Sequence, residues 1–168
     1  MENSVSVNNR KGLSSMALFW VCLLATVGIG LTISYCSGIF GKVSAYASRL
    51  PFVIPKWLVI ATPPVLFVHM GIALFLILNN NVYDYTERMV RNWTWTFWIT
   101  LFIATAITPY FIYHGMPIAA YIMSSIATAL AIGTTILCYR GSIGAGVVMT
   151  VFLIVVTLIM VYLGYWAF

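Results

Sequence analysis

The chain has 168 residues, 62% of them hydrophobic and only 7% charged, with a formal net charge of +5. Soluble domains carry about 25% charged residues, so this chain has too little charge to cover itself and needs lipid as its solvent. Its eight Lys and Arg suit lipid headgroups and make no surface for nucleic acid.

A bilayer core of about 30 Å takes roughly 20 apolar residues per helix. Five stretches meet that length, at about 17–39, 57–78, 95–113, 117–138 and 144–167. The last of them contains VVMTVFLIVVTLIMVYLGYWAF, which lacks the alternation of a membrane barrel strand. The expected fold class is therefore all-α: an integral membrane protein built as a compact bundle of five transmembrane helices. Residues 1–16 are expected to form a polar, frayed N-terminal tail, and residues 17–168 a single five-helix membrane domain. Arg10-Lys11 ahead of an apolar run has the look of a signal peptide. The run is too long for a signal core and has no clean small-x-small cleavage site, so it reads as a retained helix.

The first helix carries Gly28, Gly30, Ser34, Ser37 and Gly38, small residues that let helices approach closely in lipid. The connection after it, residues 40–56, is the long one. It is mildly amphipathic, and two readings stand: a lid over the bundle mouth or a plain surface link. The second helix contains adjacent prolines, Pro63 and Pro64, and His69 near its middle. Proline has no N–H, so the carbonyls of Val59 and Ile60 lose their usual donors, and a loosened turn is expected at about 59–64. Such carbonyls are tolerated where backbone lines a cavity or a neighbour supplies a donor. Pro109 repeats the theme in the third helix.

The third helix opens with Trp93, Trp95, Phe97 and Trp98, which read as an aromatic belt at headgroup depth, as do Tyr162, Tyr165, Trp166 and Phe168 at the end of the fifth. Asn92-Trp93-Thr94 has the form of a glycosylation acceptor but abuts a membrane helix and is taken as a chance match. The fourth helix has small residues on most of its circumference: Ala120, Ser124 and Thr128, then Ala127, Ala131 and Thr135, then Ser125, Ala129 and Gly133. It is expected to be the helix most enclosed by protein.

Cys22, Cys36 and Cys138 show no paired spacing and read as packing residues. Arg10, Lys11, Arg88, Arg91 and Arg140 fall on one side of the membrane and Lys42, Arg49 and Lys56 on the other. That distribution puts the N-terminus on the cytoplasmic or equivalent inner side and the C-terminus opposite.

Catalytic equipment is sparse. The only acids are Glu2, Asp84 and Glu87, in the tail and one connection. With no carboxylate inside a predicted span, this chain alone supplies neither a proton relay nor a carboxylate-held metal pair. No catalytic residue is expected. His69 is the only midplane candidate for a metal, and its imidazole suits a haem iron or a ligand carboxylate or carbonyl. The rival is a partner inside the protein, a backbone carbonyl of a neighbouring helix or a hydroxyl such as Ser34, Thr105 or Ser124.

Five helices in a short chain, a long first connection, Trp57 leading at a fixed distance to Leu66-Phe67-x-x-Met70-Gly71-x-Ala73, and Thr108-Pro109-x-Phe111 in the third helix make a pattern. It resembles the translocator protein family, also called tryptophan-rich sensory proteins or peripheral benzodiazepine receptors. The resemblance implies the five-helix fold and a pocket for porphyrins, sterols and synthetic ligands. With His69, it implies that Trp57, Leu66, Phe67, Met70, Thr108 and Phe111 bind the ligand. Departures accompany it: the family's Asn and Trp in the third helix are Ala104 and Ile107, its Trp inside the second falls on Pro63, and residues 141–168 hold no Pro or Asn.

Two functions of different class follow. One is a translocator-type binder or transporter of an apolar ligand: a tetrapyrrole such as porphyrin or haem, a sterol, or another lipid-like molecule. The other is a non-catalytic accessory subunit of a larger membrane complex. Membrane lipids are expected partners in both, and either a homodimer or a complex with other membrane subunits is compatible with the sequence.

Overall fold

The computed structural model of the chain describes residues 2–36, 56–79 and 85–168. Among these residues there are five α-helices and no strand: α1 Glu2–Cys36, α2 Lys56–Leu78, α3 Tyr85–Tyr113, α4 Pro117–Gly141 and α5 Ile143–Ala167. Each contains a stretch long and apolar enough to cross a membrane, from 19 residues in α2 to 26 in α3. At 1.5 Å per residue these stretches span about 28–39 Å, which matches a bilayer core. The chain is a multi-pass integral membrane protein with an all-α five-helix bundle.

Two helices start earlier than the sequence suggests. α1 is helical from Glu2, through the segment read as a frayed tail. α3 begins at Tyr85, about ten residues before its expected start, so Arg88 and Arg91 ride on its first turns. Hydropathy marks where a helix enters lipid, not where it starts; in α3, Glu87, Met89 and the two arginines are good helix formers and carry the hydrogen-bond ladder beyond the apolar span. The 40–56 connection, with its lid or surface readings, lies outside the described residues except at Lys56, where α2 begins.

The two short links have local causes. After α3, Gly115 takes a φ of 70°, a conformation that costs glycine nothing. Its N–H donates to Ile112 O and the Met116 N–H to Phe111 O, both at 3.0 Å. That is a Schellman stop, and Pro117 then opens α4 at a position where its missing N–H is harmless. Between α4 and α5 only Ser142 intervenes. Its N–H closes α4 on Cys138 O, and its hydroxyl accepts from Ala145 N at the start of α5.

The helices close a ring in the order α1, α2, α5, α4, α3, with the α3–α1 seam the thinnest. α4 lies between α3 and α5 and packs most extensively against them, along an inward face of Ala120, Ser124, Ala127, Thr128, Ala131, Thr134, Thr135 and Cys138. It is not the most buried helix, however. That is α2, with 44% of its most apolar stretch buried against 39% for α4. Small side chains bring backbones together but leave the outer circumference of α4 to Ile118, Ile122, Ile126, Ile132 and Ile136, all exposed. Large branched residues face outward and small or hydroxyl residues inward, as expected where lipid is the solvent. The centre of the ring is filled by Phe67, Met70, Leu101, Met149 and Phe152.

Candidate functional site

Side chains fix the register of α2 against α3. The Trp98 indole N–H donates to Met70 O at 3.2 Å, and the Phe67 and Phe102 rings lie 5.4 Å apart. Position 70 thus meets 98 and 67 meets 102, an antiparallel pairing. One turn further, Pro63 and Pro64 come level with Thr105. α1 joins the same level from its other side. Gly30 backs onto the Phe67 ring and Leu23 onto Gly71, so Ser34, one turn past Gly30 and fully buried, also comes level with Pro63.

The prolines sit inside continuous helix in both elements. α2 is unbroken across Pro63 and Pro64, so the loosened turn expected at about 59–64 does not appear as a break in the helix; the prolines leave two missing backbone donors within a helical path. In α3, Pro109 withholds the donor that the Thr105 carbonyl would otherwise receive.

Thr105 has a second oddity. Eleven other threonines, on α1, α3, α4 and α5, each donate their hydroxyl to the carbonyl four residues back. Thr105 does not. Its side chain is 9% exposed and its hydroxyl has no hydrogen-bond partner. A buried hydroxyl left unpaired costs about 1–3 kcal/mol. At the same residue, then, the hydroxyl lacks a partner and the carbonyl lacks its helical donor.

His69 is half-buried, with Nδ1 2.7 Å from Val65 O on its own helix. A carbonyl only accepts, so Nδ1 donates in this bond. The partner is neither a hydroxyl nor a neighbouring helix, as the internal alternative had it. Among the described residues no three His, Cys, Asp or Glu come together around a metal-sized space.

The remaining expected site residues separate. Leu66, Phe67 and Met70 are buried in the core, packed with Trp98 and Phe102. Thr108 is buried and spends its hydroxyl on Ala104 O at 2.8 Å. Phe111 is half-buried, and Trp57 stands at the surface, 67% exposed and apart from that cluster. Trp98 leaves the belt in which the sequence set it. It is 7% exposed and stacks on Phe102 at 5.5 Å, because it shares the inward stripe Thr94, Trp98, Leu101, Thr105, Thr108. Trp93, off that stripe, is exposed as a belt residue should be. The sequence named Thr105 only as a partner for His69; the signal that would have marked it is its spacing of four before Pro109. Comparison with protein-family models, with curated proteins and with solved structures finds no match to this chain.

Proposed function

We propose that the protein is a translocator-type membrane protein that binds or carries an apolar ligand, a tetrapyrrole, a sterol or another lipid-like molecule, between its helices beside Thr105. The observation that carries this reading is Thr105. A buried, unpaired hydroxyl beside a carbonyl without its helical donor is an unmet polar demand in an interior where other buried threonines bond their own helix. It lies level with the prolines of α2, where backbone donors are also missing. A mostly apolar site with a few placed polar groups is how small-molecule sites are built. The likeness of α2 to the translocator family supports the same reading. Saturable binding of a porphyrin or a sterol to the detergent-extracted chain, followed by tryptophan fluorescence, tests it. Binding that never saturates for either would refute it.

The accessory-subunit reading draws on α1. Only 17% of its most apolar stretch is buried, and a Cβ added at the outward Gly28 would meet nothing within 4 Å, a surface that another helix would fit. Stoichiometric co-purification with a partner, without crosslinking, would favour it. The N-terminus lies on the inner side in either case; labelling single cysteines in the two tails from one side should modify only one tail.

A further inference from the structure

We propose that Thr105 is the polar anchor of this ligand site and that it selects an uncharged apolar molecule bearing a hydroxyl over one bearing a carboxylate. The proposal rests on the ligand-binding reading above and says which head group that site takes. Two groups at residue 105 need partners, and their needs differ. The carbonyl, whose helical donor Pro109 cannot supply, accepts only. The side-chain hydroxyl, buried and unpaired, donates or accepts. A ligand hydroxyl satisfies both at once, donating to the carbonyl and accepting from the threonine. An ionised carboxylate has no hydrogen to give, and its oxygens would face the carbonyl oxygen.

Charge points the same way. Residues 12–41, 57–83, 92–139 and 141–168 contain no Asp, Glu, Lys or Arg, so the helices hold no counter-ion at this level. The nearest cation along α2 is Lys56, seven residues before Pro63, about 10 Å along the helix axis. A carboxylate at Thr105 would be buried unpaired, which proteins avoid.

The test uses the full chain in phosphatidylcholine nanodiscs and two photoreactive probes, a long-chain alcohol and the matching carboxylic acid, each with a mid-chain diazirine, at a pH that ionises the acid. The alcohol should label saturably, compete with unlabelled hexadecanol, and leave its adduct on the α3 peptide containing Thr105. The acid should label about tenfold less. Thr105→Val keeps the shape and removes the hydroxyl; it should cut alcohol labelling about tenfold, the loss of one hydrogen bond, and leave the weak acid labelling unchanged. Thr105→Ser should keep the preference. Without ligand, Thr105→Val should melt at or above the unsubstituted chain, since it removes an unpaired buried group; a clear fall would show that the hydroxyl serves an internal bond and would overturn the proposal. Equal labelling by both probes, or indifference of alcohol labelling to Thr105→Val, would overturn the anchor while leaving ligand binding standing. No saturable labelling by either probe would sink both.

Discussion

Gly28 and Gly30 lie two residues apart on α1 and should answer the same added methyl group in opposite ways. A Cβ built at Gly30 falls 2.5 Å from Cγ and Cδ2 of Phe67, far inside the contact distance of about 3.5–4.0 Å between carbons. The ring cannot swing aside, because Phe67 is 1% exposed and already faces Phe102. Either α1 moves off α2 or Phe67 leaves its rotamer, and overpacking of this kind costs about 1–3 kcal/mol. Alanine also gains about 0.8–1.0 kcal/mol over glycine in a helix interior. Gly30→Ala should therefore lose up to about 2 kcal/mol net. A Cβ at Gly28 meets nothing within 4 Å, so Gly28→Ala keeps the whole propensity gain. The variants should differ by the overpacking cost alone, about 1–3 kcal/mol. At about 2–4 °C per kcal/mol for a chain of this size, their melting midpoints should separate by about 2–12 °C. Thermal unfolding in detergent, followed by fluorescence-detected size exclusion, reads this directly. A midpoint for Gly30→Ala at or above that of Gly28→Ala would show that α1 does not rest on the Phe67 ring.

Trp98→Phe keeps an aromatic ring over Phe102 but deletes the donor to Met70 O; a loss of about 0.6–1 kcal/mol is expected for one interhelical bond in a membrane, and an unchanged melt would mean that the indole N–H contributes nothing. Ala127→Leu, at a site 2% exposed, should destabilise by about 1–3 kcal/mol, whereas Leu158→Phe, at a site 65% exposed on α5, should be nearly silent; equal tolerance in the same assay would remove close packing as the reason for the small residues of α4. His69→Leu removes a bond within α2 and none between helices, so stability should stay within about 0.5 kcal/mol; a larger fall would put the histidine into interhelical packing.

The spans were legible because lipid imposes a length and a polarity that the sequence wears openly. The helix starts were not, because Tyr85 to Thr94 and Glu2 to Ser14 are helical without being apolar. The inward face of α4 could be read from its row of small residues. The burial of α2 could not, since Leu66, Phe67, Met70, Ala73 and Leu74 look the same facing lipid or protein. Trp98 shows why: a tryptophan beside Trp93 and Trp95 reads as a belt until its rotation about α3 is known. His69 drew attention by type, yet its polar demand is met one turn back on its own helix. Thr105 drew little, because a threonine in a membrane helix ordinarily satisfies itself in that same way.

Proline makes the bundle asymmetric. The chain has six prolines: Pro51 and Pro55 in the connection into α2, Pro63 and Pro64 early in α2, Pro109 late in α3, and Pro117 at the start of α4. In an antiparallel bundle the start of α2, the end of α3 and the start of α4 lie at one pole, so the four prolines of the described residues, Pro63, Pro64, Pro109 and Pro117, gather there. At the other pole, beyond the Trp98–Met70 bond, the helices carry no proline, and Ser142 alone joins α4 to α5. Pro63, Pro64 and Pro109, inside their helices, each remove a backbone donor, and in lipid the orphaned carbonyl must find another. On the proposed reading, a molecule entering from that end would meet these carbonyls and the unpaired hydroxyl of Thr105, which is why Thr105→Val and the two probes address the same pole.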